Sequence, residues 1–233
     1  MFEGQGSVAF ETEGSPFAGL APPAITKLIA HSRTTVMQAG QVLFMEGDAC
    51  RHLYVLIEGR VRCYQARQDG REQVVRTFDA PGDTFCFVAA FGAAQYVFSA
   101  DAMTESRLHV VDVSAVRRLI AEHTPLGLAF LTVMTRQTRG LVTLVESLAL
   151  RRVPERVARL LCQRAVTGGL CRGTGAELDR HQFREDEVAS TVGSVRVHVS
   201  RILKELARVG ALQLSRGTIR IPDLRVLERL SGE

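Results

Sequence analysis

Between Phe183 and Ile221 two short helical patterns stand on either side of a glycine, and a hairpin pattern follows them. The first predicted helix runs from Glu185 to Val192, and the second ends near Val209. Gly193 permits the left-handed backbone that a tight turn between two helices requires. Two short helices joined in this way, with a hairpin behind them, predict a winged helix-turn-helix.

The second predicted helix has one apolar face and one open polar face. Because a recognition helix enters the major groove with its N-terminus leading, we expect the polar face to contact DNA. The residues predicted to do so lie on this helix, just before the first helix and at the tip of the hairpin: Arg196, Val197, His198, Ser200, Arg201, Lys204, Arg184 and Arg216. A helical bundle with a solvated charged face is the alternative, but helix, turn, helix and hairpin occur in the order that DNA binding requires.

The positive charge of the chain is concentrated in its C-terminal third. Residues 152–233 contain 15 Lys and Arg against 10 Asp and Glu, whereas the whole chain carries a formal net charge of +4. Nearly all of these basic residues are arginines, whose planar guanidinium forms bidentate contacts with phosphate and guanine. This distribution favours double-stranded DNA as a partner.

The preceding part of the chain has the pattern of a β domain. From Thr34 to Val113, short apolar or alternating stretches are separated by turns that contain glycine, such as Asp69-Gly70. An Asp-Gly pair is a strong hairpin signal. Short strands with turns about every eight to twelve residues predict a barrel or roll. A short helix is expected before it, around Ile25 to His31.

A long amphipathic helix is predicted from about Pro125 to Arg151, where apolar residues recur at intervals of three and four. Its stripe consists of Phe130, Val133, Gln137, Leu141, Leu144 and Leu148. We expect this stripe to pair with the same helix of a second copy, with Gln137 setting the register. Packing of the helix on its own domain is the alternative.

Composition indicates a cytoplasmic protein without a membrane span. No apolar run is long enough to cross a bilayer, and the first residues lack the basic and apolar regions of a signal peptide. The five cysteines are widely spaced and include no CxxC pair, so no metal site is expected. Because phosphate-binding loops, HExxH and nucleophile-elbow motifs are missing from the sequence, we expect no enzyme.

Several stretches resemble the Crp/Fnr family of transcription regulators. Those stretches are the recognition helix Val199–Leu206 with Gly210, and the β-roll turns in Ala39–Asp48, Tyr54–Val61 and Pro81–Asp83. The resemblance implies an α+β fold: an N-terminal cyclic-nucleotide-binding-like β-roll (a double-stranded jelly roll), a long dimerisation helix and a C-terminal winged helix-turn-helix. It also implies a homodimer on a near-palindromic operator, RNA polymerase as a further partner, and a signal that is read in the roll.

On this basis the chain divides into four parts. We expect a loose leader at residues 1–24, a sensor β-roll domain at residues 25–124, a dimerisation helix at residues 125–151 and a DNA-binding domain at residues 152–233.

Some recognition-helix positions depart from the family's pattern. Where the family often has a glutamate, this chain has Val197, which cannot accept a hydrogen bond from cytosine but can contact a thymine methyl group. His198 and Arg184 each replace a threonine that is usual in the family. We therefore expect a half-site that differs from the usual TGTGA or TTGAT type.

The β-roll also departs from the family's cAMP-binding branch. Cys86 and Phe87 stand where that branch has a Gly-Glu pair, and Tyr96-Val97 stand where it has the Arg-Ser pair that neutralises the phosphate. We therefore expect no cAMP. The family's iron–sulfur branch has an N-terminal cysteine cluster, but no cysteine precedes Cys50, so we expect no iron–sulfur cluster.

The predicted effector pocket is strongly apolar, and its residues are Phe85, Cys86, Phe87, Tyr96 and Phe98. The segment at Tyr96 is similar to the nitric-oxide-responsive branch, and Phe85-Cys86 resembles the haem-containing carbon-monoxide sensors, whose cysteine ligates iron. Haem is therefore one hypothesis, and a buried free thiol at Cys86 is the other. Thiol redox control, a constitutive regulator without an effector, and a cyclic-nucleotide-regulated module are further alternatives.

Overall fold

The computed structural model describes residues 15–18, 22–87, 91–92, 94–168, 170–172, 174–180 and 183–232. The chain divides into two compact units, Met1–Gln65 with Val75–Leu141 and Ala66–Val74 with Val142–Glu233. The first unit extends beyond the predicted sensor domain because the start of the long helix packs into its core. Most of the predicted leader lies outside the described residues.

A short helix and eight strands build the β-roll that the sequence predicted. They are α1 (Pro22–Ala30), β1 (Ser32–Met37), β2 (Val42–Phe44), β3 (His52–Glu58), β4 (Val61–Ala66), β5 (Glu72–Phe78), β6 (Thr84–Phe85), β7 (Ser99–Ala102) and β8 (Ser106–Asp112). The strands form two four-stranded sheets, in the orders β1-β8-β3-β6 and β2-β7-β4-β5. Apolar side chains of both sheets form one core, which confirms the predicted roll.

Gly59 makes the sharp turn between β3 and β4. Its φ is +97°, in the left-handed region, and a Cβ at this position would lie 2.4 Å from Oγ of Ser106. The Ser106 hydroxyl donates to the Arg60 carbonyl and accepts from the Arg60 N–H. Only glycine therefore lets β8 approach the turn so closely.

Aromatic rings fill the centre of the first unit. The ring centroids of Phe44 and Tyr96 lie 3.8 Å apart, and those of Tyr54 and Phe85 lie 5.3 Å apart. The Tyr54 and Tyr96 hydroxyls are 3.2 Å apart. Buried tyrosines need such partners, because an unpaired buried hydroxyl is costly.

Two helices follow the strands, α2 (Val113–Glu122) and the long helix α3 (Thr124–Leu150), close to its predicted limits. Phe130 and Val133 are buried in the β-roll core, and the Gln137 side-chain amide donates to the Thr84 carbonyl at 2.9 Å. The first half of the predicted dimer stripe therefore covers the chain's own core. Of its second half, Leu141 is exposed, while Leu144 and Leu148 are half-buried.

A different face of α3 is exposed. Its large apolar side chains are Leu128, Leu131, Val142 and Val145, with exposed fractions of 59–64%. Thr135, Thr138 and Ala149 are exposed and continue the same spacing of alternately three and four residues. We call these seven residues the α3 seam. The spacing is that of positions a and d in a coiled coil.

The second unit contains the remaining elements. They are α4 (Val153–Gly168), β9 (Leu170–Arg172), β10 (Gly175–Asp179), α5 (Glu185–Val192), α6 (Arg196–Arg208), β11 (Gln213–Leu214), β12 (Thr218–Ile221) and α7 (Leu224–Leu230). The four strands form one antiparallel sheet in the order β11-β12-β10-β9. Strand β9 forms because its three residues pair with β10.

Among the described residues, no helix combines the length and the apolar character that a membrane crossing would need.

Candidate DNA-binding surface and effector cavity

The turn between α5 and α6 is the glycine turn that the sequence predicted. Gly193 has a φ of +66°, and the Ser194 N–H donates to the Ala189 carbonyl at 2.8 Å. Val195 then adopts an extended conformation, and its carbonyl accepts the N–H groups of His198 and Val199 in the first turn of α6. The turn therefore sets the direction in which α6 leaves α5.

The N-terminus of α5 has no side-chain cap. Arg184 stands at the cap position, but its guanidinium pairs with the Asp186 carboxylate, with an N–O distance of 2.8 Å. The carboxylates of Glu185, Asp186 and Glu187 lie in the first turn, where the positive end of the helix dipole stabilises them. These charges support the helix in place of a threonine cap.

Helix α6 separates its two faces sharply. Val199, Ile202, Leu203 and Leu206 are buried in the core of the second unit. The opposite face forms an open groove whose lining residues are Glu185, Arg196, Val197, Ser200, Arg201 and Lys204. Five of these six were predicted from the sequence as DNA contacts. Val197 is 71% exposed, so its methyl groups are open to a partner.

Glu185 is the residue of this groove that the sequence did not indicate. One of its carboxylate oxygens lies 3.9 Å from Nε of Arg196, and the other lies 3.8 Å from a terminal nitrogen of Arg180. The Glu185 side chain is 21% exposed, whereas that of Arg196 is 75% exposed. A carboxylate between two guanidinium groups was hard to predict, because Arg180, Glu185 and Arg196 belong to different segments of the chain.

The remaining predicted DNA contacts lie outside the groove lining. Nδ1 of His198 is 3.1 Å from the Ser194 hydroxyl, so this half-buried ring supports the turn. Arg216 is exposed between β11 and β12, as expected for the tip of a wing. The base of this hairpin is fixed by Arg180, whose guanidinium donates to the Ser215 carbonyl at 2.7 Å.

A small cavity lies in the first unit beside α3. Its volume is about 80 Å³, and its lining residues are Cys63, Val75, Arg76, Phe78, Phe85, Cys86, Phe87, Phe98, Met134, Gln137, Thr138 and Leu141. Four of the five predicted pocket residues therefore surround it, while Tyr96 lies in the ring cluster with Phe44 and Tyr54. Sites for small-molecule ligands usually measure roughly 300–1,000 Å³.

The residues of this cavity fit a cyclic nucleotide poorly. Cys86 and Phe87, which the sequence comparison predicts at the position of the Gly-Glu pair of the cAMP-binding branch, are both buried, and their side chains have no oxygen to accept a ribose hydroxyl. Arg76, which the sequence pattern did not single out, is the cation among the lining residues, and its guanidinium carbon lies 5.2 Å from the centre of the Phe78 ring. The wall is therefore apolar apart from Arg76, Gln137 and Thr138.

The two thiols of the cavity are buried. Burial raises the pKa of Cys86 well above its usual value, and it also raises the pKa of Cys63. Because the thiolate is the nucleophile in thiol chemistry, burial makes both thiols less reactive than an exposed cysteine. Among the described residues, no three His, Cys, Asp or Glu side chains are grouped as a metal site would require.

Comparison with known proteins identifies both parts of the chain. A family model for a cyclic nucleotide-binding domain matches residues 34–123, and one for a Crp-like helix-turn-helix domain matches residues 155–230. The CRP-like cAMP-activated global transcriptional regulator of Mycobacterium tuberculosis is 31% identical, over 91% of this chain and 94% of that protein. The cyclic AMP receptor protein of Thermus thermophilus is 26% identical, over 94% and 98%.

A solved structure has the same architecture. A CRP-family transcriptional regulator from Thermus thermophilus superposes with a TM-score of 0.70 at 26% identity, over 85% of this chain and 97% of that one. The matches cover the β-roll and the helix-turn-helix together. The chain therefore belongs to the Crp/Fnr family of DNA-binding transcription regulators.

Proposed function

We propose that this regulator binds a near-palindromic DNA operator as a homodimer and that α6 of each copy enters the major groove of one half-site. The observation that carries the proposal is the exposed face of α6, where Arg196, Val197, Arg201 and Lys204 line one groove while the opposite face is buried. The major groove admits an α-helix. Two identical helices related by a two-fold axis require a two-fold symmetric site.

The side chains of this groove differ in what they recognise. We assign Arg196 and Arg201 to guanine, because an arginine contacts O6 and N7 of that base with two parallel hydrogen bonds. Val197 offers only methyl groups and suits a thymine methyl group. Lys204 lies one turn beyond Ser200 and suits a phosphate as a point charge. Arg184, His198 and Arg216 are assigned to the flanking DNA backbone.

The α3 seam is the surface that we assign to the second copy. It presents apolar or small residues at every a and d position from Leu128 to Ala149. The hydroxyls of Thr135 and Thr138 donate to carbonyls of their own helix, at 2.9 Å and 3.0 Å, so that these side chains need no polar partner across a dimer. An apolar stripe of this length is costly to leave in water.

For the effector we propose a small and largely apolar molecule in the α3 cavity. The volume of about 80 Å³ and the rings of Phe78, Phe85, Phe87 and Phe98 support this choice. A cyclic nucleotide is the second candidate, and the names of the mycobacterial and Thermus relatives favour it. A haem group needs more space than the cavity of about 80 Å³ offers, and burial raises the pKa of the Cys86 thiol well above its usual value. If no ligand binds, the protein is a constitutive regulator without an effector.

Two further parts of the proposal follow from the family. The regulator would act through RNA polymerase at promoters next to its operator, by binding and without catalysis. Since both DNA and polymerase are its partners, we place it in the cytoplasm.

Selection of binding sites from random double-stranded DNA by the purified protein tests the proposal. We expect two inverted half-sites whose centres lie about one helical turn apart, since this spacing matches paired recognition helices. An enriched motif with a single half-site would contradict the homodimer, and the absence of any motif would contradict sequence-specific binding. To distinguish the effector candidates, the melting temperature of the same protein is measured as cAMP or haem is added. A ligand that binds should raise the melting temperature, because it stabilises the folded state.

A further inference from the structure

Glu185 lies on the DNA-facing groove although it belongs to α5 and not to the recognition helix. It lines the groove together with Arg196, Val197, Ser200, Arg201 and Lys204. DNA phosphates repel a carboxylate, so an acidic residue here weakens binding unless it serves another purpose. Its two oxygens face two guanidinium groups, those of Arg180 and Arg196, at 3.8 Å and 3.9 Å.

We infer that Glu185 is a positioning residue for base recognition: it holds the Arg196 guanidinium in the orientation that contacts guanine. This inference rests on the proposed function of α6 and names a specificity determinant outside that helix. The ion pair involves Nε of Arg196. A bidentate guanine contact can use the two terminal nitrogens of the same planar group, so both contacts fit one arginine.

The benefit comes from restricting Arg196 before DNA arrives. Its side chain is 75% exposed, and a free arginine loses considerable rotamer entropy when it is fixed on a base. A side chain that is already held loses less on binding, which favours the complex. Since the orientation matches one base, the gain applies to that base and not to DNA in general.

The presence of Val197 on α6 makes the ion pair between Glu185 and Arg196 more important. At the position where the family often has a glutamate, this helix has no carboxylate that could lie beside the arginine. Glu185 supplies a carboxylate from α5, and its 21% exposed side chain is supported on its other side by Arg180. The carboxylate beside Arg196 thus comes from α5 and not from the recognition helix.

Asp186 provides a matched control. It follows Glu185 in the same turn and pairs with Arg184 at 2.8 Å, but it is absent from the lining of the groove. The substitutions Glu185→Gln and Asp186→Asn each remove one negative charge with almost no change in shape. Both should raise non-specific DNA affinity slightly, whereas only the first should alter base preference.

The experiment is a base-preference profile, obtained from random double-stranded DNA, for the wild type and the variants R196A, E185Q and D186N. R196A identifies the base position that Arg196 reads. At that position we expect E185Q to reduce the preference for guanine by at least about fivefold, the lower end of what a bidentate contact contributes. D186N should keep the preference within about twofold of the wild type. Because each substitution removes one negative charge from the first turn of α5, both variants should lower the melting temperature slightly and to a similar extent.

Three outcomes are distinguishable. A loss of preference with E185Q at the position that R196A identifies, with D186N unchanged, supports the inference. Equal profiles for E185Q and D186N would overturn it and would leave the proposed function intact. A wild-type protein that enriches no motif would overturn the proposed function and, with it, the role of Glu185.

Discussion

Leu131 offers the most direct test of how two copies would associate. It lies near the middle of the first-unit part of the α3 seam and is 59% exposed. Full burial of a leucine side chain contributes about 1.5–3 kcal/mol. Covering the exposed fraction of Leu131 in a coiled coil should therefore contribute about 1–2 kcal/mol in each copy.

A two-fold symmetric interface contains this residue twice, so the dimer gains about 2–4 kcal/mol from Leu131. Leu131→Ala removes most of this gain because alanine retains a single side-chain carbon. We expect the dimer to weaken by about 2–3 kcal/mol, or about 30- to 150-fold in Kd. The folded state of the monomer should change little, since the side chain is mostly exposed there.

Sedimentation equilibrium over a range of protein concentrations measures this Kd, with Leu230→Ala as the control. Leu230 is 40% exposed on α7 and undergoes the same substitution outside the seam. If L131A and L230A give dissociation constants within about threefold of the wild type, this face of α3 does not join two copies. Another surface of the protein would then have to form the dimer interface.

Three further predictions concern DNA binding, pH and backbone strain. Arg201→Ala should reduce specific binding by about 1–3 kcal/mol in a gel shift, whereas Lys204→Ala should weaken all sites evenly and lower the salt slope by about one. Hydrogen bonds from Ser114 hold the pKa of Asp112 below its usual 3.8. The stability that this N-cap contributes is therefore present at neutral pH and is lost as the pH falls through the folded-state pKa. Asp112→Ala should lower the free energy of unfolding by about 1 kcal/mol at pH 7 and by almost nothing at about pH 2, as measured by urea unfolding. Cys86 has a φ of +76°, which costs a residue with a Cβ about 1–2 kcal/mol, so Cys86→Gly should unfold at the same or a higher urea concentration than Cys86→Ala.

Local patterns predicted the helix-turn-helix because each of its parts has a local cause. The limits of α5 in the structure are those read from the sequence, since Gly193 ends the helix and carboxylates begin it. Gly210, with a φ of +79°, ends α6 in the same way. The sequence did not predict strands β9 and β10, because they have only three and five residues and depend on pairing with one another and with β12. Such pairing is not local in sequence.

The long helix α3 shows that sequence periodicity alone does not predict how a helix packs. A period of three and four residues indicates an apolar face, but α3 has two such faces. One contains Phe130 and Val133 and covers the β-roll core, while the other contains Leu128 and Leu131 and is exposed. Periodicity does not tell which face packs on the chain itself. Only the position of the β-roll, which fixes Gln137 against the Thr84 carbonyl, decides this.

The groove of α6 shows why a motif on a single helix describes DNA recognition incompletely. Read along α6 alone, the replacement of a glutamate by Val197 removes a charge from the base-reading face. The fold places another carboxylate, that of Glu185, 3.9 Å from Nε of Arg196 from a neighbouring helix. Whether an arginine reads its base thus depends on what surrounds its guanidinium in space and not on the residue that follows it in the chain. In this protein Glu185→Gln should therefore alter the base preference of α6 although Glu185 lies outside that helix.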